Sequence, residues 1–123
     1  NFISHEYAKK NYNHDLLKNK YEKKIENYLA RIDLLAKYSK KINSIPIFVS
    51  NIGSKGHQET IFTLNSSLIS HCIKKNYNCI DLASKLIPKI DLWVDGVHTT
   101  KKGSKAMADT MYLDLKKIIT NLN

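Results

Sequence analysis

No stretch of the 123 residues approaches the apolar length that a membrane-spanning helix needs, so no span is expected. The first residues also lack the charged, apolar, small-residue order of a secretory signal. A chain that starts at Asn1 rather than Met reads as a piece of something longer, which makes that second absence uninformative. Cysteine is scarce: only Cys72 and Cys79 occur, and neither has a partner at metal-ligand spacing. Two buried thiols are the expectation, with a disulfide between them as the alternative, and the compartment stays open. Acidic residues are few beside the basic ones, 11 against 20, for a net charge of +9. That excess invites a nucleic acid or an anionic membrane as partner. Against it, the lysines are spread along the chain and mixed with Glu and Asp, with no clustered stripe and no recognised nucleic-acid motif. The accompanying wealth of Asn, Ile and Tyr fits an AT-rich coding sequence, and no specific nucleic-acid binding is expected.

What is present is an ordinary globular composition at a length that makes one domain, residues 1–123, able to bury a modest core. Asn1 to Asp15 is polar and reads as an entry loop; His5 and His14 within it take no assigned role. From Leu16 to Lys41 the pattern becomes helical. Leu17, Tyr21, Ile25, Tyr28, Leu29, Ile32, Leu35 and Ala36 recur at steps of three and four, a stripe wide enough to suit packing on a sheet. Ile45 to Val49 is a continuous apolar run and reads as a buried strand, with Pro46 tolerated near its start. The Gly- and Ser-bearing loop from Ser50 to His57 follows it. Glu59 to Lys75 returns to helical spacing, with Asn76 able to end the helix. Asn78 to Leu82 reads as a second strand, Ala83 to Ile90 as a short passage broken by Pro88, and Lys101 to Thr120 as a final helix. Met107, Met111, Leu115, Ile118 and Leu122 form the apolar face of that helix and read as core. Alternating helices and continuous apolar strands predict an α/β fold with a parallel sheet covered on both faces.

Between the second strand and the last helix lies Asp91-Leu-Trp-Val-Asp-Gly-Val-His-Thr-Thr-Lys-Lys-Gly103. Here an apolar run delivers Asp95, and His98 follows three residues later. Gly96 frees the backbone between them, and Thr99 or Thr100 can cap the helix beyond. In such a loop the carboxylate can accept the imidazole Nδ1 proton and leave Nε2 free to take a proton from a nucleophile. Asp95 and His98 are therefore the candidate catalytic residues, two members of a triad.

The phrase from Trp93 to Ala108 resembles the Asp-x-x-His block of the SGNH (GDSL-type) hydrolases, through Asp95, Gly96, His98, Gly103 and Ala106. The likeness extends back through the strand at Ile45, the helix with Leu64-Asn65 and Ile80-Asp81-Leu82. It implies a three-layer α/β/α, flavodoxin-like SGNH hydrolase fold, of which this chain would be the C-terminal half. It also implies a serine esterase or acyl transferase with no metal or organic cofactor, acting on lipid, acylated-sugar or short-chain esters. Three elements of that family have no counterpart here: the Gly-Asp-Ser turn with the nucleophile, the oxyanion-hole Gly and the Gly-x-Asn-Asp loop. They would precede Asn1, so the partner expected for this chain is the missing N-terminal part of the same domain. Ile52-Gly53-Ser54 stands after a strand but lacks the Asp and is followed by Lys55, so Ser54 reads as turn chemistry and not as the nucleophile. The rival readings are a non-catalytic basic α/β interaction or nucleic-acid-binding module, resting on the lysine-rich helix, and a metal site from Asp95, His98 and His57, for which the spacing is poor.

Overall fold

The computed structural model describes residues 3–52, 57–95 and 98–122. In chain order these form α1 (His5–Asn11), α2 (His14–Lys41), β1 (Ile47–Val49), α3 (Gln58–Lys75), β2 (Asn78–Ile80), α4 (Leu82–Lys85), a 3-10 turn (Ile90–Leu92) and α5 (Lys101–Leu122).

The entry segment is helical rather than a loop. Ser4 caps α1 by accepting the Tyr7 N–H on its hydroxyl at 3.1 Å, and Asn13 caps α2 by accepting the Leu16 N–H at 3.0 Å. Packing then holds the short helix in place. Ala8 is buried with Leu17 and Phe62, and the rings of His5, Tyr12 and His14 lie 5.0, 5.5 and 5.1 Å from the Phe62 ring. Burial lowers the His5 pKa below the ordinary histidine value, the neighbouring Asp81 working against it.

The strands β1 and β2 pair in parallel, with Ile47 beside Asn78, Phe48 beside Cys79 and Val49 beside Ile80. They form the only sheet among the described residues, and 72% of those residues are helical. This corrects the expectation of a three-layer, flavodoxin-like α/β/α fold. The physical reason is local. Ile45 stays exposed and Pro46 has no N–H to donate, so the first strand starts two residues late. At the other strand, Asp81 bonds the Ser84 hydroxyl at 2.5 Å, and Leu82 becomes the first residue of α4 instead of the last of a strand.

The long helix α2 packs chiefly along α3 rather than over a broad sheet. Ile32, Phe48, Leu68 and Cys72 form the core between them, edged by Tyr28, Ala36, Tyr77 and Cys79. Leu35, counted in the apolar stripe, is exposed. The two helices run the same way: Lys20 near the start of α2 pairs with Glu59 near the start of α3, and Asp33 further on meets His71 further on. Asn76 ends α3 in the left-handed conformation (φ 56°). Cys72 and Cys79 are joined in a disulfide, which corrects the reading of two free thiols and fastens the last turn of α3 to β2.

A second core gathers at the C-terminal end of the strands, where Ile52, Leu82, Leu92 and Trp93 meet Ala106, Met107 and Met111 of α5. The Met-bearing face of α5 is thus core in its first half only. Leu115 and Leu122 further along are exposed.

Candidate functional site

Both strands deliver their chains to one edge, and that edge is braced by buried polar groups. Ser50, directly after β1, is 1% exposed; its hydroxyl donates to Asp81 Oδ1 at 2.8 Å and accepts the Ala83 N–H at 2.9 Å. With both roles of the hydroxyl committed and no access to solvent, Ser50 is a brace and not a nucleophile. Asn65, buried on α3, accepts the Asn51 N–H at 2.9 Å and donates to the Asn51 carbonyl at 2.6 Å. One side chain thereby satisfies both backbone groups of the residue that leaves the strand.

The 3-10 turn and Leu92-Trp93 pack onto this edge, and from there the chain enters the Asp95–His98 loop. The loop is closed at its base by an antiparallel bridge between Trp93 and Thr99 and by the Val94 N–H donating to the His98 carbonyl at 2.8 Å. Thr100, rather than Thr99, supplies the helix cap: its hydroxyl accepts the Gly103 N–H at 3.0 Å and donates to the Asp91 carbonyl at 3.0 Å. Gly103 faces the Leu92 carbonyl so closely that a Cβ would sit 2.0 Å from its oxygen. This contact requires glycine and sets the start of α5 against the loop. Lys102 pairs with Asp91, and its hydrogen bond is the main reason the Asp91 carboxyl lies below the ordinary range.

Within the loop, Asp95 holds His98 twice. One carboxylate oxygen lies 2.7 Å from His98 Nδ1, and the other accepts the His98 backbone N–H, also at 2.7 Å. A carboxylate that engages both the ring and the backbone of the same residue fixes the ring's direction and places the proton on Nδ1. Nε2 is then the nitrogen able to accept a proton. Both side chains are open to water, 54% exposed for Asp95 and 77% for His98. The structure therefore brings the two predicted residues together, as an exposed dyad. Gly96, expected to supply the turn, and Ser54 lie outside the described residues.

His57 stands apart from this pair. It borders a cleft with Tyr12, Tyr21, Gln58, Glu59 and Thr60. Among the described residues no three His, Cys, Asp or Glu side chains gather to hold a metal ion. No helix there is long and apolar enough to cross a membrane.

A second Asp–His pair has no trace in the sequence, because its members are 38 residues apart on different helices. His71 Nε2 lies 2.7 Å from Asp33 Oδ1, which also accepts the Tyr77 hydroxyl at 2.8 Å. His71 is only 12% exposed and borders a groove of about 500 Å³ between α2 and α3. Here the imidazole spends Nε2 on the carboxylate, so the pair ties two helices together, whereas the Asp95–His98 pair leaves that nitrogen uncommitted.

Comparison with protein-family models, with curated proteins and with solved structures gives no match to this chain.

Proposed function

We propose that the Asp95–His98 loop is the acid–base part of a serine-type ester hydrolase of the SGNH kind, and that this chain supplies the carboxylate and the imidazole but not the nucleophile. The observation that carries the reading is the double hold of Asp95 on His98, which leaves Nε2 as the proton acceptor. His98 takes the proton of a serine hydroxyl as that oxygen attacks the ester carbonyl, then returns it to the departing alcohol. Asp95 stabilises the imidazolium between the two steps. Support also comes from the phrase around the dyad, with Gly103 pressed on Leu92 just where the block of that family carries its glycine. Among the described residues no hydroxyl is hydrogen-bonded to His98, which is why the nucleophile is assigned elsewhere. The substrate class is an acyl ester of a small alcohol, sugar or lipid.

The test uses p-nitrophenyl acetate and a fluorophosphonate probe. The 123-residue chain should show neither turnover nor an acylation burst. If the encoded polypeptide carries a serine-bearing segment ahead of Asn1, that longer protein should hydrolyse the ester. There His98→Ala should lower kcat/KM by on the order of 10³-fold or more. Undiminished activity in that variant removes His98 from the mechanism, and a burst from the short chain places the nucleophile within it.

A further inference from the structure

The lysines that look dispersed in the sequence are collected by the fold. Because α2 and α3 run in the same direction, their last turns reach the same end of the molecule, the end where β1 and β2 begin. Lys37, Lys40 and Lys41 come from α2, Lys74 and Lys75 from α3, and all five are exposed. The sequence has no Asp or Glu between Asp33 and Glu59 or between Glu59 and Asp81. The segments that build this end therefore bring five positive charges, and the nearby carboxylate, Asp33, is engaged by His71 and Tyr77 and acts on Lys75 alone among the five.

Between the lysines stand apolar side chains facing water. Ile42 is 74% exposed and Ile73 is 79% exposed, with Tyr38 and Ile45 also open. Leu34 and Tyr38 on α2 and Ile42, the residue that caps it, follow at steps of four, and the Lys41 ammonium lies 5.4 Å from the centre of the Tyr38 ring. Lysines in a last helical turn offset the negative end of its dipole. That role asks for no exposed isoleucines among them.

We propose that this end is a peripheral docking surface for a membrane rich in anionic phospholipid, with the lysines meeting headgroups and Ile42, Ile45 and Ile73 entering the boundary with the acyl chains. Charge complementarity fixes the sign of the partner. The kind of apolar side chain fixes its class: branched aliphatic groups gain by entering hydrocarbon, whereas a nucleic acid would be met by aromatic platforms for its bases. Of the aromatic rings at this end, Tyr38 already carries Lys41, and Tyr77 is engaged by Phe48, His71 and Asp33. The surface lies at the opposite end of α3 from the Asp95–His98 edge, so the inference does not depend on the hydrolase reading.

Cosedimentation of the full chain with phosphatidylcholine vesicles, with and without phosphatidylserine, tests it. Binding is expected only to the serine-lipid vesicles and should weaken as salt rises. One lysine near such a surface is worth about fivefold in affinity, so Lys41→Gln/Lys74→Gln/Lys75→Gln should lose roughly a hundredfold. Ile42→Ser/Ile73→Ser, on exposed positions that leave the circular dichroism unchanged, should also release the protein from vesicles. Failure to bind the anionic vesicles overturns the proposal. So does binding that ignores the isoleucines, or binding to single-stranded DNA that is tighter than binding to vesicles.

Discussion

Asp33 on α2 joins His71 on α3 through a 2.7 Å contact between Oδ1 and Nε2, and Tyr77, just past α3, donates its hydroxyl to the same oxygen. The His71 hydrogen bond is the main reason the Asp33 carboxyl lies below its ordinary value of 3.8. As the pH falls, the unfolded chain takes up this proton before the folded one does. The clasp thus contributes fully above about pH 4 and is lost as the pH drops through the depressed folded value. Since Asp33 is 39% exposed, solvent screening keeps the contribution small. Asp33→Asn should cost about 1 kcal/mol at neutral pH. The difference in melting temperature between the two proteins should narrow below pH 4; a gap that persists into strong acid would remove Asp33 as its source.

The bidentate grip of Asn65 on Asn51 gives a second prediction. Asn65→Ala removes both bonds to the backbone of Asn51, an exposed residue, and should cost about 1–2 kcal/mol, the net worth of two hydrogen bonds made by a buried side chain. Asn65→Asp can still accept the N–H, but it turns a carboxylate oxygen toward the Asn51 carbonyl and should be no better than alanine. Urea denaturation of the three proteins ranks them. An aspartate variant as stable as wild type would show that the 2.6 Å bond to the carbonyl carries no weight.

At Gly103 the ordinary sign of a substitution reverses. Alanine within a helix usually stabilises by about 1 kcal/mol over glycine. Here its Cβ would meet the Leu92 carbonyl oxygen at 2.0 Å, a backbone atom that cannot move away cheaply. Gly103→Ala should therefore destabilise by about 1–3 kcal/mol and shift the Asp95–His98 loop. Calorimetry reads the first effect, and the imidazole chemical shifts of His98 read the second. A stabilised variant would sink the close approach.

Cys72 and Cys79 stand seven positions apart in the sequence, so their bridge closes a short loop. The entropy removed from the unfolded chain corresponds to about 2–3 kcal/mol. Reduction with dithiothreitol should lower the urea midpoint accordingly, and maleimide should label no thiol before reduction and two after it. Label uptake by the untreated protein would contradict the bridge.

The three long helices, α2, α3 and α5, could be read from the sequence because each repeats apolar residues at helical spacing over many turns, and Asn76 marked the end of α3 in advance. The dyad was legible for a different reason: Asp95 and His98 are three residues apart, so one loop suffices to join them. Contacts over longer separations left no such mark. Ser50 with Asp81 and Asp33 with His71 depend on which elements lie side by side, and no local pattern encodes that. The sheet was overstated because apolar runs such as Ile45 to Val49 signal burial better than they signal strand length. The entry helix was overlooked because Ala8 is its only buried residue, and a single apolar position shows no periodicity.

The shared direction of α2 and α3 has a geometric outcome for chemistry. A helix of 18 residues spans roughly 27 Å, and α3 separates the lysine end from the edge that carries His98. Were the molecule to rest on a bilayer by its lysines, the imidazole would stand well clear of the headgroups and look out into the aqueous phase. Of the ester classes proposed, the dissolved ones would reach it there, while lipid esters held in that same bilayer would lie beyond its reach.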